Sequence, residues 1–338
     1  MRASAWWRGA RHERVARPDR PSTLGSADGP PPQQAGEDRP NSTRLSILIP
    51  FGIVTLIWGS TWIVIRDQLG VVPPSWSVTY RFVLAALVMG AFAVAKGESF
   101  RLDRRGWAFA IAIGLFQFCG NFNLVYRAEQ YITSGLVAVL FATLLIPNAL
   151  LARVFLGQRL GRQLMVGSVV ALCGIALLLL HEARSDTRGP AASLTGIGFT
   201  VAGILSASVA NVLQATDTAK RYPMFAVLAL AMAIGAVIDG VIAWALTGPP
   251  VLETRPAYWL GVGYLAVFAS ALAFPLYYQV LRVIGPAKAA YSSVIVPVIA
   301  MALSTVFEGY RWTTLAVGGA ALAAVGLAIA LTARRPNR

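Results

Sequence analysis

The chain has 338 residues, 56% of them hydrophobic and only 13% charged, where a typical soluble domain is about 25% charged. A water-exposed globule needs a polar surface to stay monomeric, so this composition, with a mean hydropathy of +0.62, excludes a soluble enzyme. The net charge of +14 comes from 29 Lys and Arg against 15 Asp and Glu. These cations sit in short gaps between long apolar stretches rather than on one polar face, and no nucleic-acid partner is expected.

Residues 1–44 are rich in Arg, Pro, Gly, Ser and Asp. They hold no apolar segment long enough for a signal peptide, and they are expected to form a disordered cytoplasmic tail. From residue 45 onward, a hydrocarbon core about 30 Å thick asks for about 20 apolar residues per crossing. Ten segments answer: 46–66, 75–95, 106–126, 132–152, 162–181, 194–214, 223–246, 257–279, 288–307 and 313–333. The fold class expected is all-α integral membrane, with loops too short for an extramembrane domain and the lipid bilayer as first partner. One set of alternate loops and tails collects sixteen Lys and Arg, the other six. That bias expects both termini in the cytoplasm of a multi-pass plasma-membrane protein. Trp76, Trp107, Trp244, Trp259 and Trp312 stand at expected span ends, where aromatic belts form.

The fourth and fifth spans echo the ninth and tenth. Pro147 precedes Gln158 by the same interval as Pro297 precedes Glu308, and Gly167 with Gly174 answers Gly319 with Gly326. The expected units are therefore 45–181 and 193–333, followed by a short cytoplasmic tail at 334–338. Each unit holds an odd number of spans, so the two enter the membrane from opposite sides. Such inverted halves enclose a central site, and matched helix breaks such as Pro147 and Pro297 point to it; tuning of helix packing accounts for the prolines equally well. The small-residue rows Gly167/Ala171 and Gly319/Ala323 are explained by close helix packing.

These features, together with Ile57-Trp58-Gly59-Ser60-Thr61-Trp62 and Arg81-Phe82, resemble the EamA-like branch of the drug/metabolite transporter superfamily over residues 46–333. The resemblance implies ten helices, cytoplasmic termini, a cavity between the halves, and export of small metabolites or amino acids without ATP. Gly157-Gln158 departs from the family's Gly-Glu after the fourth helix, while Glu308 keeps the acid in the second half. That position reads as a helix-end feature rather than an obligatory proton carrier.

Charges inside a span cost about 2.5–3.5 kcal/mol at the helix centre. Two stand out, Arg81 and Asp239, at similar depth in the same third of the membrane. As a pair they would relieve each other's desolvation. Functionally, Arg81 would attract an anionic group, and Asp239 is the candidate for coupling to a proton. Among uncharged residues, Trp58 and Trp62 share a face, as do Gln117 with Asn121 and Ser208 with Asn211. Tyr278 and Gln279 end the eighth span, and Tyr291, Ser292 and Ser293 open the ninth. The candidate substrate contacts are Trp58, Trp62, Arg81, Gln117, Asn121, Asn211, Tyr278 and Tyr291, because buried polar groups in hydrocarbon face the interior. Each also reads as glue between helices.

Cys119 and Cys173 lie deep in apolar runs and His12 and His181 lie far apart. This is no metal-ligand spacing, and no metal or cofactor is expected. None of Lys96, Lys220 and Lys288 lies in a phosphate-binding loop. The function expected is secondary transport of a small amphipathic solute by alternating access. A membrane-embedded receptor or scaffold, and a lipid-acting membrane enzyme, are the alternatives; the second would need a catalytic constellation that the sequence does not display.

Overall fold

The computed structural model describes residues 40–157, 161–185, 190–284 and 292–331. The body of the fold runs from Ile47 onward. The described residues are helical with no strand. In chain order the long helices are α1 (Pro40–Asp67), α2 (Pro74–Ala95), α3 (Arg104–Ala128), α4 (Ser134–Leu156), α5 (Arg162–Ser185), α6 (Pro190–Gln214), α7 (Met224–Thr247), α8 (Pro256–Arg282), α9 (Ser292–Phe307) and α10 (Thr314–Leu331). Seven of them, α1–α4 and α6–α8, are long and apolar enough to cross a membrane, while α5, α9 and α10 are apolar over shorter described stretches.

One boundary departs from expectation in kind. Residues 40–44, expected in the disordered tail, are helical, because α1 begins at Pro40, and proline suits a first turn whose N–H groups lack partners anyway. Prolines open α2 and α8 in the same way. At the start of α3 the Asp103 carboxylate accepts the Gly106 N–H at 2.7 Å, one of the unpaired donors a helix start leaves. Gly157 closes α4 at φ +67°, and Gly309 follows α9 at φ +69°, a left-handed conformation that glycine adopts without cost.

Water does not drive helix against helix in lipid, so close approach and polar links must hold them together. The tightest seam joins α5 to α10. A Cβ placed on Gly174 would strike the Ala323 backbone N and stand 2.6 Å from the Gly319 carbonyl, and one on Gly326 would strike the backbone of Ala171. The expected small-residue rows therefore do pack face to face. Further contacts join α2 to α7, α4 to α9, α3 to both α6 and α7, and α2 to α8. Gly59 of α1 lies against Ile299 of α9. Leu56, Leu87, Val94, Val154 and Leu260 stay exposed on the outside, as a surface facing hydrocarbon requires.

Two helices carry a feature that no sequence pattern announced. Gly114–Asn121 in α3 and Val267–Leu272 in α8 are wound as π-helix. Pro275, which has no N–H to give, lies just beyond the second. Such bulges free backbone carbonyls and recur at functional sites. The Phe116 carbonyl accepts the Ser206 hydroxyl of α6 at 2.7 Å, and the Ala269 carbonyl accepts the Trp58 indole N–H of α1 at 3.2 Å.

Candidate functional site: a central cavity

A cavity of about 130 Å³ lies among α1, α2, α3, α4, α6, α8 and α9. Its walls are largely aromatic and aliphatic, with Trp58, Trp62, Phe122, Phe141, Phe274 and Tyr277 supplying the rings. The polar members are Thr61, Arg81, Gln117, Asn121 and Asn211. Trp58 packs on Phe274 and Tyr277 with ring centroids 5.4 and 4.9 Å apart, and Trp62 on Phe141 at 5.2 Å. Aromatic pairs in this range fix each other's orientation.

Arg81 is 1% exposed. Its Nε donates to the Ser270 hydroxyl at 3.1 Å, and its guanidinium carbon stands 4.2 Å from the centre of the Phe122 ring, a cation–π arrangement. Three polar atoms of the cavity lining are buried without a hydrogen-bond partner: Arg81 Nη1, Trp62 Nε1 and Asn121 Oδ1. Two are donors and one is an acceptor. A buried polar atom left unpaired costs about 1–3 kcal/mol, which makes these three the atoms with most to gain from a ligand.

Of the residues singled out in the sequence, Trp58, Trp62, Arg81, Gln117, Asn121, Asn211 and Pro297 line this cavity. Pro147 does not. Its effect falls one turn upstream, where Ala142–Leu144 tightens to a 3-10 turn, because proline lacks the N–H that Thr143 would accept and its ring crowds that carbonyl. Ala142 and Leu144 of this turn are in the cavity wall. Tyr278 is fully buried but outside the lining, which takes Tyr277 instead. Tyr291 and Gln158 lie outside the described residues.

Arg81 and Asp239 form no ion pair. Asp239 lies outside the cavity lining, where its Oδ1 accepts the Asn123 side-chain N–H. Asn123 Oδ1 accepts the Ser75 hydroxyl at 2.6 Å, and Arg127 donates to Ser75 Oγ at 3.2 Å. The Cys119 thiol is the other group beside the Asp239 carboxyl. This chain of polar contacts ties α7 to α3 and α2, beside the cavity rather than in it. Sequence reading missed Phe141, Phe122, Phe274 and Tyr277, and only the aromatic density of these stretches hinted at them.

A helical body with lipid-facing flanks and a polar-dotted central cavity is the outline of a membrane transporter. A model of the EamA-like transporter family matches the chain twice, over residues 46–180 and 194–332, and the chain belongs to that family. It is a membrane transporter of the drug/metabolite type with several transmembrane helices. The chain is similar to the protein PagO of Salmonella typhimurium, 27% identical over 276 residues, 80% of this chain and 88% of PagO. It is 30% identical to the inner membrane transporter YedA of Escherichia coli K12, over 75% of this chain and 80% of YedA. A probable amino-acid metabolite efflux pump of Salmonella typhimurium is 23% identical over 85% of this chain and 95% of its own length. A crystal structure that shares the fold has a TM-score of 0.64 at 23% identity, covering 86% of this chain and 98% of that one.

Proposed function

We infer that the protein is a secondary transporter that carries small zwitterionic or amphipathic solutes, amino acids among them, out through the inner membrane by alternating access. The observation that carries this reading is the set of three unpaired atoms in an apolar cavity. Arg81 Nη1 and Trp62 Nε1 are donors for a carboxylate, Asn121 Oδ1 is an acceptor for an amine, and the surrounding rings suit an apolar side chain. A charge-assisted bond from a guanidinium is about twice as strong as a neutral one. A phosphate would call for several cations, and Arg81 is the one cation among the described residues of the lining.

The same reading takes residues 45–181 and 193–333 as five-helix halves of opposite orientation, giving ten spans with both termini cytoplasmic. The pairing of helices supports it: α2 meets α7, α4 meets α9 and α5 meets α10, each joining a helix to its counterpart five places on. The bulges support it too, since α3 accepts from α6 and α8 accepts from α1 at corresponding points. The coupling ion in this reading is a proton. Asp239, buried between the Asn123 amide and the Cys119 thiol, is one membrane-embedded carboxyl available to it.

Counterflow in proteoliposomes tests the reading. Vesicles preloaded with an unlabelled amino acid should accumulate the labelled form transiently, most strongly for leucine, methionine and phenylalanine. Absence of counterflow for every amino acid tried, with folded protein, would remove this substrate class.

A further inference from the structure

Glu129 is a carboxyl for which the cavity has no use. It follows the last residue of α3, is 0% exposed, and neither of its carboxyl oxygens has a hydrogen-bond partner. An ionised carboxylate held this way is among the costliest arrangements in a protein. The charged and titratable groups around it come from four elements: Arg66 at the end of α1, Arg81 of α2, Tyr126 one turn back on α3, and Glu308 just past α9.

None of the donors near Glu129 bonds its carboxyl oxygens, and Arg66, Ser134 and Tyr126 are engaged with other acceptors. Glu308 accepts the Ser134 N–H at 3.2 Å and the Ser134 O–H at 2.5 Å, and stands 3.4 Å from Arg66 Nε. Arg66 spends its Nη1 on the Glu129 backbone carbonyl, and the Tyr126 hydroxyl donates to Gln68 Oε1 at 2.8 Å. Glu308 therefore caps α4 while tying α9 to α1, and the Glu129 side chain is left beside a like charge. Burial first, and the Glu308 charge second, push the Glu129 carboxyl well above the usual carboxylate range. Ile65 and Val125, the residues before Arg66 and Tyr126, line the cavity, so this cluster adjoins the cavity at the end where α1 and α3 finish.

Resting on the transport reading, we propose that Glu129 is a proton-binding site that latches this end of the cavity. With its proton on, the neutral side chain lets the Arg66–Glu308–Ser134 tie hold. When the proton passes to water at this end, a second carboxylate stands beside Glu308. The tie then parts so that the new charge is hydrated, and the cavity opens here.

The test reads the latch without any solute. In the full chain carrying Cys119→Ser and Cys173→Ser, spin labels at Val71→Cys and Arg311→Cys span the tie from the α1–α2 loop to the α9–α10 loop. Electron–electron distances are then measured in lipid nanodiscs between about pH 6 and about pH 8. The open-to-closed ratio should rise with pH, by up to about tenfold per pH unit, the limit for one proton. Glu129→Gln should stay closed throughout, and Glu129→Asp should keep the response. Glu129→Leu, which removes an unpaired buried carboxyl, serves the same purpose should the glutamine variant not fold. The proposal is overturned if the parent distance ignores pH, if Glu129→Gln and Glu129→Leu follow the parent curve, or if Asp239→Asn alone abolishes the response. Failed counterflow alongside a pH-responsive distance would count against the substrate reading and leave the latch standing.

Discussion

Arg81 and Glu129 show how differently one fold can bury a charge. Arg81 is compensated by the Ser270 and Tyr126 hydroxyls and by ring faces, and its Nη1 is left for something outside the protein. Replacing it with glutamine removes the charge-assisted bond, about 1.5–3 kcal/mol. Arg81→Gln should therefore raise the half-saturating concentration for amino-acid counterflow by roughly tenfold to a hundredfold, while Ser270→Ala, which loses only the positioning contact, should shift it less. Equal effects from the two variants would mean that Arg81 matters for packing and not for the solute. Glu129 makes a stability prediction with a definite sign. In the unfolded chain its carboxyl titrates near 4.5, and in the folded protein it holds its proton to higher pH. The unfolded state is thus the first to shed the proton, so stability declines as pH rises above about 4.5 until the folded group also ionises. Thermal unfolding of Glu129→Leu across this range should lack that part of the decline, and an unchanged slope would show that the buried carboxyl is not the source.

Helices disclosed their existence in the sequence, and their windings stayed hidden. Apolar length and proline or glycine punctuation marked the spans because a bilayer sets that length physically. The glycine rows on α5 and α10 were legible for a similar reason: backbone contact tolerates nothing larger. Gly326→Ala tests this seam, since its new methyl would meet the Ala171 backbone rather than a movable side chain. Overpacking of this kind costs about 1–3 kcal/mol, and a thermal midpoint equal to that of the parent would contradict the geometry. The π-bulges in α3 and α8 were not legible, because an extra residue in a helix leaves no mark in an apolar run. Tyr277, not the expected Tyr278, is the tyrosine of the cavity lining. Pro147 failed in a related way: its position was clear, but its consequence falls on the carbonyl four residues earlier, at Thr143. The supposed Arg81–Asp239 pair failed because depth along two helices says nothing about rotation around them, and α3 supplied Asn123 to Asp239 instead.

At the scale of the molecule, composition alone established a membrane body, and the cation imbalance between alternate loops gave an expected orientation. What the chain could not announce is that the α9 end reaches across to cap α4 through Glu308, so that α9, α4 and α1 are joined by a polar tie beside the cavity. Alternating access makes a demand of this arrangement: loosening the tie should tighten the opposite end. Two spin-label pairs on the cysteine-free chain measure this, one at Val71 and Arg311 near the tie, the other at Arg153 and Gln279 near the far ends of α4 and α8. On changing pH or adding a transported amino acid, the account predicts that one distance lengthens as the other shortens. Distances that stay fixed during active counterflow, or that lengthen together, would contradict it.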